Sequence, residues 1–512
     1  MKIHNKHKNV LIEVICLLYI FLFVYAALSK LVVFDEFKIQ IGQSTMLTSF
    51  AGIVAWIIPC LEILIALLLL IPRFRLLGMY AAFNLMVMFS VYIFVILNFS
   101  DDIPCSCGGV IEKLGWTEHL IFNIVFVILA SIGIYILNGQ KKSLHAKTSF
   151  LITQKNLYKP LSINAIGGIC FITILFAFTH KGTERDMSFH RGFLHDPPHK
   201  THELDLEYSG YYIAGADEKN IYLGNPKSPL YLTVVDSSLQ RKKVIHLSMD
   251  LDSLLTRSPQ LRVIPPYFFL MDGTVPYILR GNIKEWKGYS MLEKPFYFTN
   301  VQPIDSLTLA IRAMSNKTNE FSLGTIHLSD SGAMTLSHKL LKKQVDGLFD
   351  VDGTLQYNQQ KQQLIYTYRY RNQYIVANNN LELQVLGKTI DTISQAKIKV
   401  DTIVSKNQRK MAAPPLRINK YSATFGNYLF VNSNLLGKKE PLVLWKKSSV
   451  IDVYNIVNNG YQFSFYVEDI NKSKLRSFCV VDNTFIGLIG NHLVTYKLKN
   501  LLNEVQSLAV KQ

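Results

Sequence analysis

Residues 51–71 read AGIVAWIIPCLEILIALLLLI, a run of 21 residues with one charged side chain, Glu62. Crossing about 30 Å of hydrocarbon as α-helix takes roughly 20 apolar residues, so the stretch predicts a transmembrane helix. Working outward, runs of the same kind and of similar length occupy 10–28, 77–97, 119–137 and 161–179, which gives five spans. The first run follows Lys2, Lys6 and Lys8 as a signal peptide would. No small-residue cleavage site precedes the next apolar span, however, and Lys30 follows at once, so the run is read as a retained span.

The chain has 512 residues, more than one core usually organises, so two or more domains are expected. Hydrophobic residues make up 49% and charged ones 18%, which excludes a disordered chain, and no collagen, coiled-coil or small disulfide pattern is present. Much of the basic excess behind the formal charge of +17 is explained by where the lysines and arginines fall around the spans. Lys2, Lys6 and Lys8, the tight second loop with Arg73 and Arg75, and the fourth loop with Lys141, Lys142, Lys147, Lys155 and Lys159 all lie on one side of the membrane. The positive-inside rule makes that side cytoplasmic. The third loop, 98–118, carries Asp101, Asp102, Glu112 and Glu118 against a single Lys113 and so faces outward. With five spans, everything after Thr179 is outside as well. The expectation is a multi-pass protein of the bacterial inner membrane with a cytoplasmic N-terminus, partnered by lipid and not by nucleic acid.

Residues 1–140 hold four of the spans, and 141–180 the basic loop and the fifth. Residues 181–207 read as a polar linker rich in histidine, with His190, His195, His199 and His202 close to His180. A solvated tether is the plainer reading, because their spacing fits no recurrent ligand pattern and no cysteine is near; no metal site is assigned. From 208 to 512 the period changes to two. Short β-branched and aromatic segments such as 221–224, 267–271, 374–377, 428–431 and 485–489 are broken by Asn, Gly, Asp and Pro. Pairs such as Asn372-Gln373 and Gly490-Asn491 supply hairpin turns. Blocks ending in an Asp or Gly turn, marked by Asp236, Asp330 and Asp391, recur loosely every 40 to 55 residues. The fold class is therefore an α-helical transmembrane bundle, a four-helix core plus a fifth helix, followed by an extracytoplasmic all-β domain, best fitted by a β-propeller of six or seven blades.

Six cysteines are too few to staple such a chain, so any thiol chemistry is local. Cys105 and Cys107 alone lie close together, in the third loop, followed by Gly108, Gly109, Trp116 and His119. Two cysteines one residue apart close a disulfide only through a tight, strained ring, and strain makes the bond easier to reduce. Gly108 and Gly109 give the turn its permissive backbone. Two other readings stand beside redox exchange: an inert pair with Trp116 as an interfacial anchor, and capture of Cu(I) or zinc by two thiolates and His119. Glu62, deep in its span, needs a partner or a cavity, or takes up protons when thiols oxidise. Helical rise sets it near mid-membrane and Lys30 at the outer rim, which argues against a direct pair. Glu13 lies near the cytoplasmic rim. Cys16 and Cys170 read as small apolar packing residues, and Cys479 as a buried strand thiol.

In four features the first 140 residues resemble the methylamine utilisation protein MauE family, within the wider DoxX-like group. These are the first-helix ending Tyr25-Ala-Ala-Leu-Ser-Lys30 with Phe37 after it, Pro59 to Glu62, the Cys105-Ser-Cys107-Gly-Gly109 loop, and Trp116 ahead of the fourth helix. The resemblance implies disulfide redox at the periplasmic face, with Cys105 and Cys107 as the exchanging residues and a thioredoxin-like or cysteine-containing protein as partner. It does not make methylamine a substrate, and the fifth helix and β domain depart from the short family form. Electrons have to pass onward to a partner or a quinone; no sequence feature identifies a quinone site, and no cofactor is evident. The expected function is thiol-disulfide exchange with a propeller for partner recognition. The rival is a non-enzymatic anchor that displays a binding propeller.

Overall fold

The computed structural model describes residues 2–99, 115–145, 158–180, 188–250, 255–292, 294–328 and 332–498. It divides into two compact units, one of 1–185 with 398–415 and one of 186–397 with 416–512.

Five helices of the first unit are long and apolar enough to cross a membrane, at the places the hydropathy pattern marks. They are α1 (Lys2–Val32), α3 (Ala51–Leu70), α4 (Arg75–Phe99), α5 (Trp116–His145) and α6 (Tyr158–His180). A helix satisfies its own backbone hydrogen bonds, the condition for a segment surrounded by hydrocarbon. The core is built by α1, α3, α4 and α5, where Tyr19, Phe23, Ala66, Leu69, Met79, Ala82, Ala130 and Ile134 are all buried. Small residues let the helices approach closely, and the Tyr19 hydroxyl donates to the carbonyl of Phe126 across the bundle. Outward, Phe21, Ile53, Trp56, Ile121 and Ile163 are exposed, an apolar surface suited to lipid. The fifth span, α6, stands against α4, where the rings of Phe99 and Phe176 lie 6.2 Å apart. Glu13 forms a forked ion pair with Arg75 at 2.5 and 3.0 Å, and Arg75 also donates to the carbonyl of Leu69 at the end of α3. A helix that hydropathy does not reveal, α2 (Phe34–Gln43), follows α1.

Residues 398–415, which lie in sequence between two blades of the β unit, pack with the helices instead. Strands Val400–Ile403 and Gln408–Met411 form a hairpin against α2. Ile403 and Ala412 bury Ile39, Lys406 pairs with Glu36 at 2.5 Å, and Gln43 donates to the carbonyl of Met411 at 3.0 Å. Contact is so close that a Cβ on Gly42 would sit 2.3 Å from the carbonyl oxygen of Ala412, so glycine is required there.

The second unit is a six-bladed propeller. Its six sheets begin with the strands Tyr212–Ala216, Gln260–Ile264, Asn300–Pro303, Gly353–Asn358, Asn419–Phe425 and Leu475–Val481. Each of these meets its counterpart in the next sheet, and the sixth meets the first, which closes a ring. Long polar side chains on these strands stitch neighbouring blades. Arg476 donates to the carbonyl of Tyr211, Arg262 to that of Ile213, Asn300 to that of Gly353, Gln302 to that of Leu355 and Gln356 to that of Ser422. A Cβ on Gly215 would come 2.1 Å from the carbonyl oxygen of Val263, so the first two blades also need glycine at their seam. The cores lie between sheets: Phe269 and Ile278 of blade two bury against Leu309 and Ile311 of blade three, and Phe430 and Ile451 of blade five against Phe478 and Phe485 of blade six. Ring closure uses both ends of the unit, because His199–Asp205 pairs antiparallel with His492–Lys497 and completes blade six.

That strand corrects the reading of 199–205 as part of a tether, while 181–187 lie outside the described residues. Most of its side chains are exposed, so it carries no apolar alternation by which sequence could reveal it. Arg191 and Phe193, a few residues earlier, are likewise seated on blade five. Two of the three expected Asp turns, at Asp236 and Asp391, are present. Asp236 accepts the backbone N–H groups of Gln240 and Arg241, and these bonds, with that of Arg241 foremost, hold its carboxyl down at about 2. Asp391 accepts the N–H of Ile393 at 2.9 Å, while Asp330 lies outside the described residues.

Candidate functional site

Four of the side chains singled out from sequence, Lys30, Glu62, Trp116 and His119, line one cavity of about 530 Å³ in the helical unit. Lys30 comes from the last turn of α1 and Glu62 from the middle of α3. Trp116, His119 and Asn123 project from one face of α5 by their i, i+3 and i+7 spacing. Phe37 and Ile41, one helical turn apart, come from α2. Met86, Phe89 and Tyr92 of α4 and Phe171 and Leu175 of α6 complete much of the wall. The rings of Trp116 and His119 stack 6.2 Å apart at 19°.

Lys30 Nζ lies 2.7 Å from Glu62 Oε1, with the two side chains 13% and 2% exposed. This overturns the expectation that depth keeps them apart. Helical rise measures only where the Cα atoms lie, whereas side chains lean toward the N-terminus of their own helix. Glu13, early in α1, pairs with Arg75 at the start of α4, and Arg75 bonds the carbonyl of Leu69 at the end of α3, so α1 and α3 run antiparallel and Lys30 and Glu62 lean toward each other. The long lysine stem spans the remaining distance, and its ammonium also sits 5.8 Å from the centre of the Phe37 ring.

The pair leaves Glu62 Oε2 without a hydrogen-bond partner among the described residues, and Asn123 Nδ2 is in the same state. Both residues are almost wholly buried, Glu62 at 1% and Asn123 at 2% exposure. The cavity is thus an apolar chamber holding a net-neutral ion pair, an unused carboxylate acceptor and an unused amide donor. Binding of a small amphiphilic molecule is within its means.

Cys105, Cys107, Gly108 and Gly109 lie outside the described residues. Of the other cysteines, Cys16 is buried in the bundle core. Cys60 is exposed and does not line the cavity. Cys170 is exposed as well, not packed, because it falls on the outer side of α6, the least buried span. Cys479 is partly buried beside blade one, and burial pushes its thiol up to about 12, which suits an inert residue. Among the described residues no group of three or more His, Cys, Asp and Glu side chains is placed to hold a metal ion.

Sequence reasoning places Trp116 ahead of the fourth span and His119, Phe122 and Asn123 at its mouth but assigns Asn123 no role, although it lies one turn beyond His119 on the same face. It also passed over α2. Phe34, Phe37 and Ile41 recur at helical spacing among Asp35, Glu36 and Lys38, a pattern too short and too charged to register as an apolar run.

The helical bundle and the closed ring of blades define an integral membrane protein that carries a propeller module. Residues 8–136, which hold the cavity's α1, α3, α4 and α5, match the family described as methylamine utilisation protein MauE. No curated protein sequence matches the chain. Among solved structures, the chain is similar to a member of the DUF4221 family from Bacteroides vulgatus, at 13% identity and a TM-score of 0.37 over 59% of this chain and 97% of that one. It is also similar to a catalytically inactive virginiamycin B lyase from Staphylococcus aureus, at 12% identity and a TM-score of 0.34 over 58% and 98% of the two chains. A protein of unknown function from Bacteroides thetaiotaomicron gives 9% identity and a TM-score of 0.37 over 60% and 73%. Likeness of this degree carries none of those proteins' activities to this chain.

Proposed function

We propose that the protein is a membrane thiol-disulfide redox protein of the MauE type, in which Cys105 and Cys107 exchange electrons with an extracytoplasmic thioredoxin-like or cysteine-containing partner recruited by the propeller. The observation that carries this reading is that the MauE match, 8–136, contains the only closely spaced cysteines of the chain. The distribution of basic loops supports an outward position for that segment.

In the exchange, a thiolate of one cysteine attacks a sulfur of the partner's disulfide and expels the partner's other sulfur as thiolate. The second cysteine then attacks the mixed disulfide and releases the partner as a dithiol. Two thiols of the pair lose two electrons and two protons, and the partner's disulfide takes up both. With a reduced partner the same steps run in reverse.

Replacing Cys105 or Cys107 by serine removes one of the two sulfurs the cycle needs. Either variant is expected to reduce exchange with a thioredoxin-like protein by at least about a hundredfold, since the nucleophile or the resolving group is lost. One of the two should also accumulate a mixed disulfide, seen as a band of higher mass on a non-reducing gel. Undiminished exchange by the double serine variant would overturn the reading and leave a helical anchor that displays a propeller.

A further inference from the structure

We infer that the cavity lined by α1 to α6 is a binding site for a membrane-soluble, uncharged amphiphile with a hydroxyl-bearing head. Its volume, about 530 Å³, lies in the range of small-molecule sites. Ile53, Ile57 and Leu61 of α3 and Phe171 of α6 line it and are also exposed. In spans of this length those side chains meet acyl chains rather than water, so a ligand reaches the cavity from the bilayer.

Two buried polar side chains of the lining fix the chemistry of the head. Glu62 Oε2 is an acceptor without a donor, and Asn123 Nδ2 a donor without an acceptor. Buried groups of this kind are costly unless a ligand or water meets them. An acyl chain satisfies neither. A hydroxyl, with one O–H and two lone pairs, offers what both need. A cationic head is repelled by Lys30 and an anionic one by Glu62, and because the two already form a pair, the site favours a neutral head. Trp116, His119 and Phe37 supply flat surfaces for a ring.

The inference does not depend on thiol exchange, and its test uses the full chain with Cys105 and Cys107 replaced by serine, in lipid nanodiscs. Saturable binding of tritiated 4-decylphenol is measured against empty nanodiscs, with 4-decylanisole and decylbenzene as competitors. One phenol per chain is expected, with decylbenzene at least about tenfold weaker and the anisole, which accepts but does not donate, between them. Asn123→Leu should weaken the phenol about fivefold and leave decylbenzene unchanged. No saturable binding, or equal competition by phenol and decylbenzene, would overturn the inference and mean that lipid tails or water alone fill the space. The ligand series on the chain with its native Asn123 separates these outcomes even if the leucine variant does not fold.

Discussion

Replacing Arg191 by leucine is expected to destabilise the propeller by about 3–5 kcal/mol, the usual cost of removing one side of a buried ion pair. The guanidinium is fully buried and makes five hydrogen bonds. Two go to Asp452 at 2.7 and 3.2 Å, one to Glu440 at 2.6 Å, one to the Ser433 hydroxyl and one to the carbonyl of Leu435. Burial works to lower the guanidinium's pKa, but Asp452 and Glu440 hold it above the usual arginine value. Without Arg191, two carboxylates are left in a space that excludes water, 2% and 4% exposed. Arg191 also ties the segment before the first blade to blade five, and the Gly192 carbonyl accepts from Tyr461 beside it. Urea unfolding of the full chain in detergent, followed by protease susceptibility of peptides from 186–498, measures the effect. The midpoint should fall with little change in slope, and a triple variant that also replaces Asp452 and Glu440 by leucine should recover much of the loss. A loss under about 1 kcal/mol in the single variant would mean that water or rearrangement compensates the carboxylates.

Lys30→Met is expected to destabilise the helical bundle by a similar amount, about 3–5 kcal/mol, because it leaves Glu62 alone at membrane depth. Methionine keeps most of the apolar stem, so the measured loss reports the charge and not the packing. The double variant Lys30→Met, Glu62→Leu should be closer to the parent in stability than either single variant, since it removes the whole ion pair and the orphaned oxygen together. Thermal unfolding of the four chains in nanodiscs gives the coupling directly. Additive losses would show that the two side chains do not interact, contrary to their 2.7 Å separation.

The parts of the fold legible in the sequence are those in which one element buries its apolar face over many residues. The spans are continuous apolar runs of helical length, and strands such as Tyr428–Ser433 and Thr484–Ile489 are so buried that their composition is plain. The turns at Asp236 and Asp391 were visible because carboxylates at those positions cap backbone N–H groups. Blade spacing was legible only loosely, since the longest interval, from Gly353 to Asn419, contains the hairpin that packs on α2. His199–Asp205 escaped because an exposed strand held by main-chain bonds leaves no apolar trace. At the site, the residue types were visible and their grouping was not. Glu62, Lys30, Trp116 and His119 attracted attention as polar or interfacial residues near membrane spans. That they share a cavity depends on which faces of α1, α3 and α5 meet, and helical rise alone misplaces Lys30 relative to Glu62 because it ignores the lean and reach of side chains.

The central claim is that Cys105 and Cys107 face outward and exchange bonds. It is tested most directly on a chain in which Cys16, Cys60, Cys170 and Cys479 are alanine, expressed in intact cells. After a mild, membrane-impermeant reductant, an impermeant maleimide should add two tags per chain before lysis, located by mass analysis to the peptide containing both cysteines. Tags that appear only after lysis, or thiols that stay unreactive until a strong reductant is used, would contradict it.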